Sequence, residues 1–215
     1  MPPSQVEGQT ELAQQRGHPL AVRAREGLQQ IGFDVDELAI TTDLDGTLLR
    51  DDGTALTEFQ AIAYWLARTN PRARLMPGDP DGDALVMEVM DYVVGTIHMQ
   101  GFARIFTTSS FTPDPSAPDP SAHDAVQARG REIAAKGLGL MDRVLEGKDY
   151  VAGAFSIADA ALFYVEFWAD KTAIELPPNC RAHYHRMRAR PACARALERE
   201  GGEMFDRDFF EIPDA

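Results

Sequence analysis

The chain has 215 residues, 44% hydrophobic and 26% charged, enough to bury a substantial core in one large or two small domains. Its 34 Asp and Glu against 21 Lys and Arg give a net charge of -13, a surface that argues against nucleic acid or an anionic membrane as partner. Two cysteines, Cys180 and Cys193, have no CxxC spacing and read as reduced thiols of a cytoplasmic protein.

The first nine residues, MPPSQVEGQ, lack a basic start and an apolar stretch, so they read as a loose tail rather than a signal peptide. No later window is apolar for long enough to suggest a membrane span. PLAVRAREGLQQIGF places Leu20, Val22, Leu28 and Ile31 at helical spacing, with Pro19 in the first turn and Gly32 at the exit. DVDELAI alternates as a strand and TLLR as another, with Asp51, Asp52 and Gly53 forming a tight turn into TALTE. Thr57 and Gln60 have the spacing of a capping box for the helix FQAIAYWLART, which Asn70 and Pro71 end. RARLMPGDPDGD then reads as a linker of turn residues.

From Ala84 onward the pattern is helical. Val86, Val89, Val93 and Ile97 repeat at three and four spacing through ALVMEVMDYVVGTIHMQGFARIF, about six turns. TTSSFTPDPSAPDPSA reads as an exposed loop, and Ser121 with Asp124 as a second capping box, opening a helix to about Leu145. Ser156 and Asp159 form a third, after the apolar Phe155. The helix they open, SIADAALFYVEFWADK, is apolar almost all round, which predicts the buried centre of a bundle. Two short helices are expected after Asn179 and at Pro191, and then an acidic tail. The basic run from Arg181 to Arg195 reads as a solvated face. His183 and His185, two apart, do not share a helical face, so no metal site is expected there.

One motif points elsewhere. Asp43, Asp45, Gly46 and Thr47 resemble the DxDGT nucleophile loop of haloacid-dehalogenase-type phosphatases, in which one Asp attacks phosphorus beside a magnesium ion. That chemistry needs further acidic residues on later parallel strands. The only later GDxxxD, Gly78 to Asp83, comes about 35 residues on, too soon for the intervening βα units, and no strand is legible after it. DPDGD is not a calcium loop either, because Ala84 and Met90 stand where an EF-hand needs Gly and Glu.

A small α/β unit, a linker and an all-helical domain resemble the cytosolic glutathione transferases of bacterial type. LRDDGTALTEFQAIAYWLA is similar to the last hairpin and third helix of their thioredoxin-like domain. LMPGDPDGDALVMEVMDYVVGTIH resembles their linker and first long helix, KDYVAGAFSIADAALF their core helix, and LPPNCRAHYHRMRARPACARAL their closing helices. The resemblance implies an α/β plus all-α fold: an abbreviated thioredoxin-like N-terminal domain followed by a helical-bundle C-terminal domain. The implied layout is a disordered tail at 1–9, an incomplete thioredoxin-like domain at 10–70, a linker at 71–83, an all-helical domain at 84–200 and an acidic tail at 201–215. Upstream, either TELAQQ, PLAVRAREGLQQIGF and DVDELAI supply the first strand, helix and second strand with the second helix missing, or LAITTDLDGTLL aligns with the second-helix exit and third strand. Both leave a shortened domain.

The resemblance also implies a chemistry. Glutathione's thiol, with a pKa of ~8.5, must be held as thiolate near neutral pH. The family uses a Tyr, Ser or Cys at the start of the first helix, but this chain has no hydroxyl or thiol between Glu11 and Thr41, so Arg16 and His18 are the candidates to support the sulfur. Gly46 stands where the family has a cis-proline. A cis bond without proline costs ~2.5 to 4 kcal/mol, so that geometry is not expected. Glu58, after Thr57, matches the acidic residue that receives the γ-glutamyl ammonium, although Phe59 replaces the customary Ser. Asp91 and His98, seven apart on one helical face, match positions that face the glutathione cleft, partly across a dimer interface. His98 is the third catalytic candidate, and Phe102 and Arg104 would line the acceptor side. Asp159 reads as a structural cap. The implied function is transfer of the glutathione thiolate to a small apolar electrophile by a homodimer. A catalytically inactive binding or dimerisation module is the alternative, and the phosphatase is the third reading.

Overall fold

The structure, a computed structural model, describes residues 48–49, 54–112, 120–193 and 195. The expected first helix and first strand, the turn at Asp51 to Gly53, the Asp43 motif, Arg16, His18 and both tails lie outside the described residues. Leu48–Leu49 (β1) pairs antiparallel with Ala55–Leu56 (β2), Leu48 opposite Leu56 and Leu49 opposite Ala55. This is the hairpin read from TLLR and TALTE.

Helix α1 (Phe59–Thr69) follows, but not through the expected capping box. Its N-cap is Glu58, at φ 70° and ψ 124°, with no side-chain cap hydrogen bond. The left-handed backbone at Glu58 starts the helix one residue late for Thr57 to pair with Gln60. At the other end Asn70 stops it as expected: its backbone N–H and its Nδ2 both donate to Leu66 O, at 3.1 and 2.9 Å. A single 3-10 turn, Pro71–Ala73, leads on.

Helix α2 (Pro80–Tyr92) begins four residues before Ala84. Asp79 caps it, accepting from Gly82 N at 2.9 Å, and Pro80 takes a first-turn position where no N–H is needed. The rod then continues through a π-helical stretch, Val93–Phe102, into α3 (Ala103–Phe106). Beyond the turn Thr108–Phe111, α4 (Pro120–Val144) starts at its proline, so Ser121 lies inside the helix and not at its cap. Helices α5 (Ile157–Lys171) and α6 (Pro178–Arg188) follow, and the described residues 191–193 and 195 are helical again, as expected at Pro191.

Helix α5 is the centre of the bundle, as its apolar circumference predicts. Ile157, Ala161, Leu162 and Val165 are buried against Met90, Val93, Ile97, Phe102, Leu138 and Met141 of the surrounding rods. Fully burying side chains of this size stabilises by ~1.5 to 3 kcal/mol each. Among the described residues the only strands are β1 and β2, with one isolated bridge between Ala152 and Ala154. The described chain beyond residue 84 therefore carries no parallel sheet on which phosphatase chemistry could be mounted. No helix among the described residues is long and apolar enough to cross a membrane.

Candidate functional site

His98 lies in the middle of the π-helical stretch, half-buried, with its ring among aromatic edges. The ring centroid of Trp168 is 4.9 Å away and that of Tyr164 5.7 Å, both nearly perpendicular to the imidazole. Nδ1 of His98 is 3.3 Å from the Tyr164 hydroxyl. Burial disfavours the charged imidazole and lowers its pKa to about 4, so His98 is neutral at pH 7. Burial pushes the Tyr164 phenol up, so it keeps its proton. π-helical turns widen the rod and recur at functional positions, which makes a histidine there a candidate on backbone grounds as well.

Tyr164 connects this cluster to the start of α1. Its ring meets Phe59 edge to face at 5.9 Å. The residue before Phe59 is Glu58, exposed, whose positive φ is a strained conformation for a side chain of this kind, costing ~1 to 3 kcal/mol. Strain of this size persists where the surroundings impose it, and it often marks a ligand contact. Glu58, Phe59, Tyr164, His98 and Trp168 thus run as one series of contacts from the α/β unit to the helical one.

The other candidates fall in different places. Thr57 is exposed beside Glu58, between β2 and α1. Asp91 is exposed while His98 is half-buried, although an unbroken α-helix would put them on one face. The π-helical turns begin at Val93, between the two, and turn the chain through a smaller angle per residue than an α-helix does, which shifts the phase. Phe102 is fully buried, packed on Phe106 at 5.6 Å and Trp168 at 5.5 Å. It does not line an open face but supports Trp168 from behind. Arg104 turns its guanidinium away, donating to Gln100 O at 2.6 Å and lying over the Phe111 ring at 4.6 Å.

A second polar cluster is wholly internal. Asp159 accepts from Ser156 N at 2.7 Å and from Ser156 Oγ at 2.9 Å through Oδ2, and from Val151 N at 2.8 Å through Oδ1. This confirms the structural reading of the third cap. The same Oδ1 lies 3.3 Å from His183 Nε2, and His183 Nδ1 lies 2.8 Å from Glu166 Oε2, with all three side chains fully buried. The solvated-face expectation is corrected at His183, because α6 turns that residue onto α5 while His185 stays exposed. A separate cavity of about 500 Å³ opens between the turn at 71–78 and the loop at 152–156. It shares no lining residue with the His98 cluster.

The comparisons with known proteins bear on the family and the fold. The family description Glutathione S-transferase, C-terminal domain, matches residues 124–186, which run from α4 into α6. Glutathione S-transferase GstA of Escherichia coli O157:H7 is 32% identical over 158 residues, covering 72% of this chain and 72% of that protein. The chain belongs to the glutathione transferase family. Solved transferases share its fold. A glutathione transferase homologue from Sulfitobacter, with bound glutathione, is 28% identical over 72% of this chain and 81% of that one, at a TM-score of 0.60. A sphingomonad glutathione S-transferase complexed with glutathione is also 28% identical, covers 73% of each chain and has a TM-score of 0.57.

Within this transferase fold, sequence reasoning singled out His98 and Glu58 as candidates but passed over Tyr164 and Trp168, which stand beside His98. The signal was there: the two stand four apart on α5, one face of a helix, and each has a polar tip that a wholly buried helix would have to satisfy.

Proposed function

We propose that this chain transfers the thiolate of glutathione to a small apolar electrophile, which the aromatic cluster around His98 receives. The observation that supports it most is the contact series from the strained Glu58 through Phe59 and Tyr164 to His98. It gives one end a carboxylate for the γ-glutamyl ammonium and the other a neutral hydrogen-bonding group in apolar surroundings. Thr57 and Asp91 belong to the glutathione end, and Arg104 and Phe102 to the outer and rear borders of the acceptor side. Arg16 or His18 supports the sulfur, since no hydroxyl or thiol stands between Glu11 and Thr41 to do so. Glutathione bound to the Sulfitobacter and sphingomonad relatives supports the choice of thiol.

Isothermal titration with glutathione tests this reading. Wild type should release or absorb heat with saturation at millimolar ligand or below, and Glu58→Gln, which removes a charge without shortening the side chain, should weaken binding by about tenfold, or roughly 1.4 kcal/mol. Absence of heat in wild type would remove the reading. That same missing hydroxyl or thiol favours a second one, a binding or dimerisation module without turnover. Loss of electrophile turnover in His98→Ala from an active wild type would exclude it. In either reading the chain is a homodimer, and light scattering at the single-chain mass of 23.7 kDa would contradict that.

A further inference from the structure

Tyr164 and His98 are hydrogen-bonded to each other and to no other described residue. A neutral imidazole carries one N–H and a phenol one O–H, so the pair holds two protons and uses one between its members. The other has to point elsewhere. Imidazole nitrogen accepts a hydrogen bond better than phenolic oxygen does, which favours Tyr164 O–H donating to Nδ1 and leaves the N–H on Nε2. At 3.3 Å this bond is long, as catalytic hydrogen bonds often are before a ligand tightens them.

We propose that Tyr164 is a positioning residue whose hydroxyl fixes His98 as the Nε2–H tautomer, so that Nε2–H can donate to an oxygen that becomes negative when glutathione sulfur adds to a conjugated carbonyl compound. The inference rests on the transferase reading above. In the step concerned, the sulfur lone pair forms the S–C bond at the β-carbon, the C=C pair shifts toward the carbonyl, and the oxygen takes enolate charge. Nothing leaves, and water later returns a proton to the α-carbon. The edges of Phe59, Tyr164 and Trp168 suit a flat, apolar body carrying that carbonyl. An alkyl halide has no such oxygen, because the halide departs with its bonding pair, so it gains little from the donor.

The contrast defines the experiment. Tyr164→Phe removes the hydroxyl and keeps the ring contacts. The tautomer of His98 is read by nitrogen-resolved NMR on the labelled full chain, with the signal assigned by its loss in His98→Gln. Wild type should show Nε2–H, and Tyr164→Phe a mixture of tautomers. With glutathione and benzylideneacetone, kcat should fall on the order of tenfold or more in Tyr164→Phe, with KM for glutathione unchanged. With methyl iodide the change should stay within about twofold. An Nδ1–H tautomer in wild type overturns the proposal without reference to any variant. So does an unchanged tautomer in Tyr164→Phe, or equal losses on both electrophiles, which would mark a merely structural role. Failure of wild type to turn over either compound would overturn the transferase reading itself, and this role with it, whichever tautomer is seen.

Discussion

Glu166 has no exposed surface, and among the described residues its Oε1 has no hydrogen-bond partner. Burial favours its neutral form and, against the hydrogen bond from His183, raises its pKa to about 7. Burial also opposes a charged His183, but the hydrogen bonds to Asp159 and Glu166 outweigh that and raise the imidazole to about 9. Both groups hold protons more tightly folded than unfolded. Their stabilisation is therefore complete below the ordinary values of 4.5 and 6.5 and is lost as pH rises through 7 and 9. His98, lowered to about 4, has the opposite sign: its contribution is present above 6.5 and is lost as pH falls through 4. The two effects oppose each other in mild acid, whereas between 6.5 and 9 the buried network still titrates and His98 does not. Urea midpoints should accordingly decline across that upper window, and a flat or rising midpoint would show that the network is not charged as described. His183→Ala leaves buried Asp159 and Glu166 without the imidazole that bonds them and should cost about 3 to 5 kcal/mol at pH 7. This triad was not legible in the sequence. Glu166 reads as one polar residue on an apolar helix and His183 as part of a basic run, and only the docking of α6 on α5 makes them partners.

Elements pack most closely where the π-helical stretch crosses α4. A Cβ on Gly130 would stand 2.7 Å from Gly101 O, and one on Gly137 would stand 2.6 Å from Ile97 Cγ1, so both positions need glycine for the rods to touch. Gly139, next but one after Gly137, would meet nothing within 4 Å. Two alanine substitutions in one helix should therefore differ in sign. Gly130→Ala should lower stability by about 1 to 3 kcal/mol through overpacking, and Gly139→Ala should raise it by up to ~1 kcal/mol through helix propensity. Chemical denaturation of the two variants checks this, and equal effects would mean that the crossing is looser than the distances imply. Helix order was readable in advance because local chemistry marks it: Asn70 with Pro71, and Ser156 with Asp159, act within a few residues of themselves. The π-helical stretch was not. Val86, Val89, Val93 and Ile97 fit an α-helix equally well, and Gly95 and Gly101, the helix-weakening residues in VVGTIHMQGF, do not by themselves mark the π-helical turns that separate Asp91 from His98.

At the scale of the whole molecule the net charge is -13. Glutathione is itself an anion near neutral pH, because its carboxylates outnumber its ammonium group. Long-range forces therefore oppose the binding proposed for Glu58, while the contact itself is attractive at short range. Salt separates the two. The screening length is ~30 Å at 0.01 M ionic strength and ~8 Å at 0.15 M, so physiological salt removes most of the repulsion from distant carboxylates but little of a contact with Glu58. Glutathione affinity should consequently rise, by about twofold to fivefold, between those two conditions. A site governed by cations, such as one in which Arg16 grips a carboxylate of glutathione, would behave in the reverse way, its affinity falling as salt is added. Titration calorimetry at the two ionic strengths distinguishes them: tighter binding in salt supports an ammonium held by Glu58 against a repulsive molecule, and weaker binding would move the dominant contact from α1 to the basic residues upstream.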